Sequence, residues 1–268
     1  RIRLSAEIRP APARENKRSG LPDYDSQPER SGYAGRQSLF LSQIRGTFAP
    51  ENYVIMEKIK NVVFDLGGVL VGLDFDRCTE AFRSLGMDAV AELINPCYPA
   101  DMIGRLEHGD ITFHEACDEM RRLSGTPKVT DDEIARAYGA FLTEIPVEKL
   151  RQIDRLRRRG FRTYVLSNNN PASMEYIRRM FTADGKSMGA YFDAVYLSCE
   201  LHELKPSEAI FRKMIAASGM RPEETLFIDD GQKNVDAARE LGFSVYMPAH
   251  GEDFGHILEN LNCHEEDL

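Results

Sequence analysis

The chain has 268 residues, of which 42% are hydrophobic and 29% are charged, and its formal net charge is −9 at pH 7. This length suits one large domain or one domain with a smaller insert. The acidic balance argues against a nucleic-acid partner, and because no run of about 18 apolar residues occurs, we expect no transmembrane segment. Five widely spaced cysteines without a C-x-x-C pair predict reduced thiols in a cytoplasmic protein and no zinc site.

Residues 1–55 are rich in Arg, Pro, Ser and Gly and show no apolar periodicity. Such a segment buries too little apolar surface to offset the entropy lost on ordering, so we predict a disordered extension. The chain begins with Arg, and Met56 stands just before the first strand pattern. Our hypothesis is that Met56 is the natural start; residues ahead of it in the intact mass of the natively expressed protein would contradict this.

From residue 57 onward, short apolar runs alternate with helical patterns. The predicted strands are residues 60–66, 161–167, 192–198, 224–229 and 243–248. Only helical patterns separate the first two strands, at residues 77–85, 111–123, 131–142 and from Val147 to Gly160. A further helix is predicted to end at Gly109, with Glu107 and His108 at its end. Later helices are predicted to begin at Asn170-Pro171 and at Ser207, and a last one to end at Gly242.

Five strands that alternate with helices predict an α/β fold with a doubly wound, parallel, Rossmann-like sheet. The helical block after the first strand interrupts this rhythm, which indicates an inserted α-helical cap. We therefore predict a core formed by residues 56–73 and 148–268, with the cap at residues 74–147.

Polar side chains follow the predicted strands, and in such sheets ligands bind at the carboxyl ends of the strands. They are Asp65 after the first strand, Ser167 and Asn168 after the second, Lys205 in the loop after the third, and Asp229 and Asp230 after the fourth. Each alone is also typical of an ordinary turn, helix cap or solvated loop. Their recurrence at successive strand ends predicts one crevice beneath the cap.

The residue types in this crevice suit phosphoryl transfer. Three carboxylates repel one another, and a hard cation such as Mg²⁺, which prefers oxygen ligands, relieves that repulsion. The Ser167 hydroxyl and the Lys205 ammonium suit a phosphate group. An Asp can serve as the nucleophile and form an aspartyl-phosphate that water then hydrolyses.

Four segments in this order, VVFDLGGVL, VLSNNN, ELKPSEAIF and LFIDDGQKN, resemble the signature motifs of the haloacid dehalogenase-like (HAD) hydrolase superfamily. The resemblance covers about residues 57–250 and includes the helical cap between the first two motifs. It implies a Rossmann-like core, Mg²⁺ dependence and, most often, phosphatase activity. The two aspartates of the fourth motif favour the phosphatase branch over the metal-free dehalogenases.

The resemblance also implies roles for individual residues. Asp65 would be the nucleophile and a metal ligand, and the Gly67 carbonyl and Asp230 would be further ligands. Asp229 would bind the metal directly or through water. The phosphate and its surroundings would be held by Ser167, Asn168 and Lys205, with Lys205 balancing the charge on Asp65, while Asn234 would steady the last motif.

One position departs from the usual family pattern. Most phosphatases of the family carry a second Asp two residues after the nucleophile, where it acts as the general acid, and here that place is Gly67. Bacterial sugar-phosphate phosphatases with an Asp-x-Gly motif resemble this chain closely. Asp74 is a candidate substitute proton donor, although it is equally typical of a helix start. Further candidates are Asp76, Glu107 and His108, and a substrate with a good leaving group would need less help.

In the predicted cap, Arg105, His108 and Tyr138 are candidates to contact the substrate, and the alternative for each is a solvated helix face or the cap interior. Our leading interpretation is an Mg²⁺-dependent phosphatase for a small phosphomonoester, with sugar phosphates among the candidates. The alternative is a regulatory protein that binds a phosphate ligand and turns over little. We expect a monomer or homodimer without membrane or nucleic-acid partners.

Overall fold

Five parallel strands form a sheet in the computed structural model, which describes residues 58–94, 101–181 and 185–261. In chain order the strands are β1 (Asn61–Phe64), β2 (Arg162–Ser167), β3 (Ala194–Leu197), β4 (Thr225–Ile228) and β5 (Ser244–Tyr246). Their order across the sheet is β3-β2-β1-β4-β5, and each neighbouring pair is parallel. The predicted extension at residues 1–55 and the proposed start at Met56 lie outside the described residues.

The central strands are apolar because both faces of the sheet are covered. Along β1, Val62 and Phe64 belong to the apolar cluster on one face, while Val63 belongs to the cluster on the other. This follows from the two-residue period of a strand, which sends successive side chains to opposite faces. The doubly wound α/β fold predicted from the sequence is confirmed.

Helices occupy most of the described chain outside the sheet. Between β1 and β2 they are α1 (Phe75–Ser84), α2 (Asp88–Leu93), α3 (Asp101–His108), α4 (Phe113–Ser124), α5 (Asp131–Gly139) and α6 (Val147–Arg158). After β2 they are α7 (Pro171–Met180), α8 (Ser198–Leu201), α9 (Glu208–Ser218), α10 (Gln232–Glu240) and α11 (Gly255–Glu259). None of these described helices combines the length and the apolarity that a membrane crossing requires.

The five predicted strands are present, but the element boundaries needed correction. The third strand ends at Leu197, and Ser198, which was predicted to lie in that strand, instead begins α8. Helix α5 ends at Gly139 rather than at residue 142. The reason is that the chain after α5 pairs with the segment after β1, where Leu73 and Leu142 form an antiparallel bridge. The sequence did not predict α2, α8 and α11.

Helices α1 to α5 share an apolar cluster of their own. Its buried members include Cys78, Phe82, Met120 and Ile134, and it is separate from the two clusters that cover the sheet. Phe141 packs against both this cluster and one face of the sheet core. This arrangement supports a cap at residues 74–147, and the division into core and cap stays our interpretation.

Candidate active site

Three carboxylates meet at the carboxyl ends of the two central strands. β1 and β4 pair in a register that sets Phe64 opposite Ile228, so that the next residues, Asp65 and Asp229, leave the sheet side by side. Asp230 joins them, and each of the three carboxylates offers an oxygen within 4.8 Å of the others. The predicted convergence of these aspartates at one edge of the sheet is thus present in the structure.

Lys205 lies between two of these carboxylates. Its Nζ is 2.6 Å from Asp229 Oδ2 and 3.1 Å from Asp65 Oδ1, and only 1% of its side chain is exposed. Burial acts to lower the pKa of Lys205, but the charges of Asp65 and Asp229 outweigh it and raise the pKa above its usual value. Lys205 therefore stays charged and offsets one of the three negative charges.

The two oxygens of Asp65 have different surroundings. Oδ1 accepts a hydrogen bond from the Leu66 N–H at 2.7 Å and pairs with Lys205. No described residue bonds to Oδ2, and 12% of the side chain is exposed. Burial raises the pKa of Asp65 to about 6 against the opposing effect of Lys205, and the charge of Asp229 adds to the rise. Oδ2 is therefore the oxygen available to a metal or to an electrophile.

Asp229 differs from its neighbours because the protein uses both of its oxygens. Oδ2 pairs with Lys205, and Oδ1 accepts hydrogen bonds from Gly231 N at 2.8 Å and Asn234 Nδ2 at 2.9 Å. Its side chain is fully buried. Of the two possibilities predicted for Asp229, contact with a metal through water agrees better with these bonds, and Asn234 indeed bonds within this motif.

A glycine turn after Asp65 brings the backbone close to Asp230. Gly68 has φ +75°, and a Cβ placed on it would lie 1.9 Å from Asp230 Oδ2. At Gly67 an added Cβ would meet Leu73 Cδ1 at 3.3 Å and no charged group. A role was predicted for Gly67 alone, although the Gly-Gly pair in the sequence indicates that the second glycine also needs its conformational freedom.

The loop after β2 borders the same cluster. Ser167 ends that strand, is buried and lies beside Asp65 in the lining of one cavity. The Asn168 side chain is engaged elsewhere: Oδ1 accepts from Lys205 N at 2.8 Å and Nδ2 donates to Lys205 O at 3.0 Å. Asn168 was predicted to hold phosphate, but its amide group is committed to the Lys205 backbone and positions that residue.

A cavity of about 250 Å³ lies between this cluster and the predicted cap. Its floor includes Asp65, Ser167 and Asn168. Its walls are mainly apolar side chains, namely Leu73, Phe75, Leu93, Ile94, Ile103, Phe141, Leu142 and Ile177. The volume suits a small molecule rather than a polymer.

The three cap residues predicted to contact the substrate differ in whether they line the cavity. Tyr138 lines the cavity, and its hydroxyl accepts a hydrogen bond from Asn170 Nδ2 at 3.2 Å. Burial raises the pKa of Tyr138 above its usual value. Arg105 and His108 do not line the cavity: Arg105 pairs with two carboxylates and His108 with Asp110. For these two, the predicted substrate contact does not agree with their position.

The candidate proton donors also differ in whether they line the cavity. Asp74 is the N-cap of α1, where its carboxylate accepts from Arg77 N at 3.3 Å, and it does not line the cavity. Asp76 is exposed in the first turn of the same helix. The helix-start interpretation of Asp74 thus agrees better with the structure than the catalytic one, whereas Glu107 does line the cavity.

The donor set fits a hard divalent cation. Three carboxylates against one buried lysine leave about two uncompensated negative charges, which is costly in a partly buried site. All of the available ligand atoms are oxygens, as Mg²⁺ prefers, and no His or Cys belongs to the cluster. The site can therefore hold a cation that would in turn hold a phosphate group.

The fold and this site define a hydrolase, and the chain belongs to the haloacid dehalogenase-like hydrolase family: a model of that family matches residues 59–242. Among curated proteins, the chain is similar to D-ribitol-5-phosphate phosphatase of Bacteroides thetaiotaomicron. The two are 36% identical over 197 residues, which are 73% of this chain and 95% of that protein. The predicted family membership is confirmed, and the chain is an enzyme of that family.

Solved structures agree with this assignment. A HAD family enzyme of Bacteroides thetaiotaomicron, crystallised with magnesium and inorganic phosphate, is 36% identical with a TM-score of 0.70, covering 74% of this chain and 98% of that one. A predicted HAD-like hydrolase of Porphyromonas gingivalis is 39% identical with a TM-score of 0.70, covering 76% and 98% of the two chains.

Proposed function

We propose that this chain is an Mg²⁺-dependent phosphatase that hydrolyses a small phosphomonoester through an aspartyl-phosphate on Asp65. The observation that carries the proposal is the state of Asp65, which lines the cavity: one oxygen is held by Leu66 N and Lys205, and the other is without a partner among the described residues. A carboxylate so oriented is suited to attack a phosphorus atom.

Mg²⁺ is the cofactor of this centre. The carboxylates of Asp65 and Asp230 and the carbonyl of Gly67 would hold it, with Asp229 acting through water because its own oxygens are occupied. When bound, the ion neutralises charge on the phosphate oxygens and orients the phosphate group. The related crystal structure that contains magnesium and inorganic phosphate supports this assignment.

The other residues of the cluster would act on the phosphate and its nucleophile. The Ser167 hydroxyl would bind a phosphate oxygen, and Lys205 would stabilise negative charge that develops during transfer. Asn168 would contribute by fixing the Lys205 backbone, since its amide bonds that backbone in both directions. This differs from the direct phosphate contact that the motif alone suggests.

For the substrate, we propose a phosphorylated sugar or sugar alcohol. A similar enzyme acts on D-ribitol 5-phosphate, as its name states, and the cavity of about 250 Å³ has room for an alcohol of that size. The competing proposal is a phosphate-binding regulator with little turnover. It draws support from Gly67, which carries no side chain where the usual acid of the family stands.

A panel of phosphomonoesters assayed with Mg²⁺ and with EDTA tests the proposal. We expect turnover only with Mg²⁺, and we expect Asp65→Asn to lower kcat by about 10³-fold or more because the nucleophile is removed. The matched control is Asp88→Asn, an exposed aspartate in the first turn of α2, which should retain activity. Tight phosphate binding without turnover of any ester would favour the regulator.

A further inference from the structure

One carboxylate faces the catalytic cluster from the cap side without a partner. Glu107 lies in the last turn of α3 and lines the same cavity as Asp65 and Ser167. Within the described part of the chain its carboxylate makes neither a hydrogen bond nor an ion pair, whereas Arg105 and His108 on the same helix are both paired. An unpaired carboxylate in an apolar pocket is costly, which points to a partner that arrives with the substrate.

The main chain of Glu107 is held in place from the core side. The Ser198 hydroxyl donates to the Glu107 carbonyl at 2.5 Å and accepts from Asn169 N at 2.9 Å. Ser198 is fully buried, and Asn169 belongs to the loop that follows Ser167. One hydroxyl therefore joins the end of α3 to the loop that borders the phosphate site.

Close packing at Gly109 is a second contact that holds the end of α3 in place. Gly109, which follows α3 with φ +86°, approaches so closely that an added Cβ would lie 2.4 Å from the Cys199 carbonyl. A larger residue there would push α3 away from α8. The two contacts together set where Glu107 stands relative to Asp65, which is the precondition for a directed proton transfer.

The surroundings of Glu107 favour exchange of a proton near neutral pH. Burial raises the pKa of Glu107 to about 7, the negative charge of Asp65 adds to the rise, and Lys205 opposes it. The other titratable groups that its charge reaches are Tyr138 on α5 and Cys199 on α8. A carboxyl group whose pKa lies near neutral pH is protonated in only a fraction of the molecules, so it can both donate and accept a proton.

We propose that Glu107 is the catalytic acid and base of this enzyme, in the role that Gly67 leaves empty; the assignment rests on the proposed phosphatase function. In the first step, Asp65 Oδ2 attacks phosphorus, the bond to the alcohol oxygen breaks, and the proton of Glu107 passes to that oxygen. In the second step, the Glu107 carboxylate takes a proton from water as the water oxygen attacks phosphorus. The bond to Asp65 breaks, inorganic phosphate forms, and both carboxyl groups return to their starting states.

The test compares a poor and a good leaving group. In Glu107→Gln, kcat/KM for D-ribitol 5-phosphate should fall by about 10²-fold or more, whereas kcat/KM for p-nitrophenyl phosphate should fall less than about threefold, because nitrophenolate leaves without a proton. kcat should fall with both esters, since they share the water step. Glu80→Gln, an exposed glutamate on α1, is the matched control and should change neither value.

Glu107→Ala, measured alongside, should show the same division between the esters, and a thermal shift with Mg²⁺ and inorganic phosphate verifies that each variant keeps its site. Equal losses of kcat/KM for both esters, or no loss for either, would overturn the assignment to Glu107. A wild-type enzyme that hydrolyses neither these two esters nor any other ester of the panel would overturn the proposed function instead, so the two failures are distinguishable.

Discussion

Opposing effects act on the charge of the Asp65 side chain. Burial and two neighbouring carboxylates disfavour its charge, while Lys205 at 3.1 Å favours it. The conflict leaves one oxygen reactive rather than tied up in the protein, unlike Asp229, whose oxygens are both bonded. In both cases the strand register positions the carboxylate, and the nearby donors decide how many of its oxygens are bonded.

The two adjacent glycines allow a test of the close approach between Gly68 and Asp230. Gly68→Ala should lower the free energy of unfolding by about 1–3 kcal/mol, because the residue has φ +75° and its new Cβ would overlap Asp230 Oδ2. Gly67→Ala should change it by less than about 1 kcal/mol, because the three atoms nearest to the new Cβ all belong to the Leu73 side chain. Urea unfolding of the two variants measures the difference.

The overlap between the new Cβ of Gly68→Ala and Asp230 Oδ2 should also affect Mg²⁺ binding. Gly68→Ala displaces the Asp230 carboxylate, so its apparent affinity for Mg²⁺, measured by calorimetry, should be weaker than that of wild type. Equal stability and equal Mg²⁺ affinity in the two glycine variants would contradict the contact between Gly68 and Asp230.

Among the elements, helices α4 and α5 are stabilised at their own N-terminal ends. Thr112 before α4 and Thr130 before α5 each form a capping box, in which the Thr hydroxyl accepts from the backbone N–H of a Glu three residues later and that Glu bonds back to the Thr N–H. These bonds satisfy donors that a helix start leaves without partners. Helix α4, and helix α5 that lines the cavity through Tyr138, therefore depend on local sequence as well as on packing.

Thr130→Ala should lower the free energy of unfolding by about 1 kcal/mol, because the hydroxyl that caps α5 is lost. Thr130 does not line the cavity, so kcat/KM should stay within about twofold of wild type. Thr130→Ser keeps the hydroxyl and is the matched control. A large loss of activity in Thr130→Ala at unchanged stability would mean that the cap of α5 acts on the site.

At the scale of the described chain, the site lies where the apolar cluster of α1–α5 adjoins the clusters that cover the sheet. One apolar cluster belongs to α1–α5 and two cover the sheet. The connections between them, residues 72–74 and 141–144, pair with each other: Gly72 N donates to Glu144 O, and Asp74 N donates to Phe141 O. The carboxylates thus lie at the sheet edge, and residues of α1, α2, α3 and α5 line the cavity beside them.

The pH dependence of stability should differ with and without Mg²⁺: as pH rises, the contribution of Asp65 to stability should fall without metal, and the stabilising effect of Mg²⁺ should grow. Burial first, and then Asp229, raise the pKa of Asp65 from 3.8 to about 6. Without metal, the folded state holds more protons than the unfolded state between these values, so the Asp65 contribution to the free energy of unfolding falls as pH rises from about 4 to about 6. Mg²⁺ needs the charged carboxylate, so its stabilising effect should grow over the same range.

Thermal unfolding in EDTA and in excess Mg²⁺ at several pH values measures this. At a Mg²⁺ concentration 100 times its dissociation constant, the gain near pH 7 should be about 2.7 kcal/mol, and most of it should disappear near pH 4. Asp65→Asn should remove both the pH-dependent term and most of the Mg²⁺ effect. A Mg²⁺ effect that is equal at pH 4 and pH 7 would contradict the role of these carboxylates.

The sequence by itself determined the sheet and the carboxylates at its edge. Short apolar runs locate strands because buried parallel strands must be apolar on both faces, and the residue after each run then has to emerge at the carboxyl end. That logic placed Asp65, Ser167 and Asp229 near one another, as the structure does. Conformational signals in the chain, such as Asn170-Pro171 and Thr130, also located helix starts correctly.

Only the tertiary structure decided what the side chains around that edge can do. Asp74 was the predicted proton donor and Glu107 a further candidate, but the first caps a helix and the second lines the cavity. The Asn168 amide bonds the Lys205 backbone, Arg105 pairs with two carboxylates, and His108 hydrogen-bonds Asp110. The physical reason is that helical periodicity defines a face of a helix, whereas the direction of that face is set by how the helix packs against the rest of the chain.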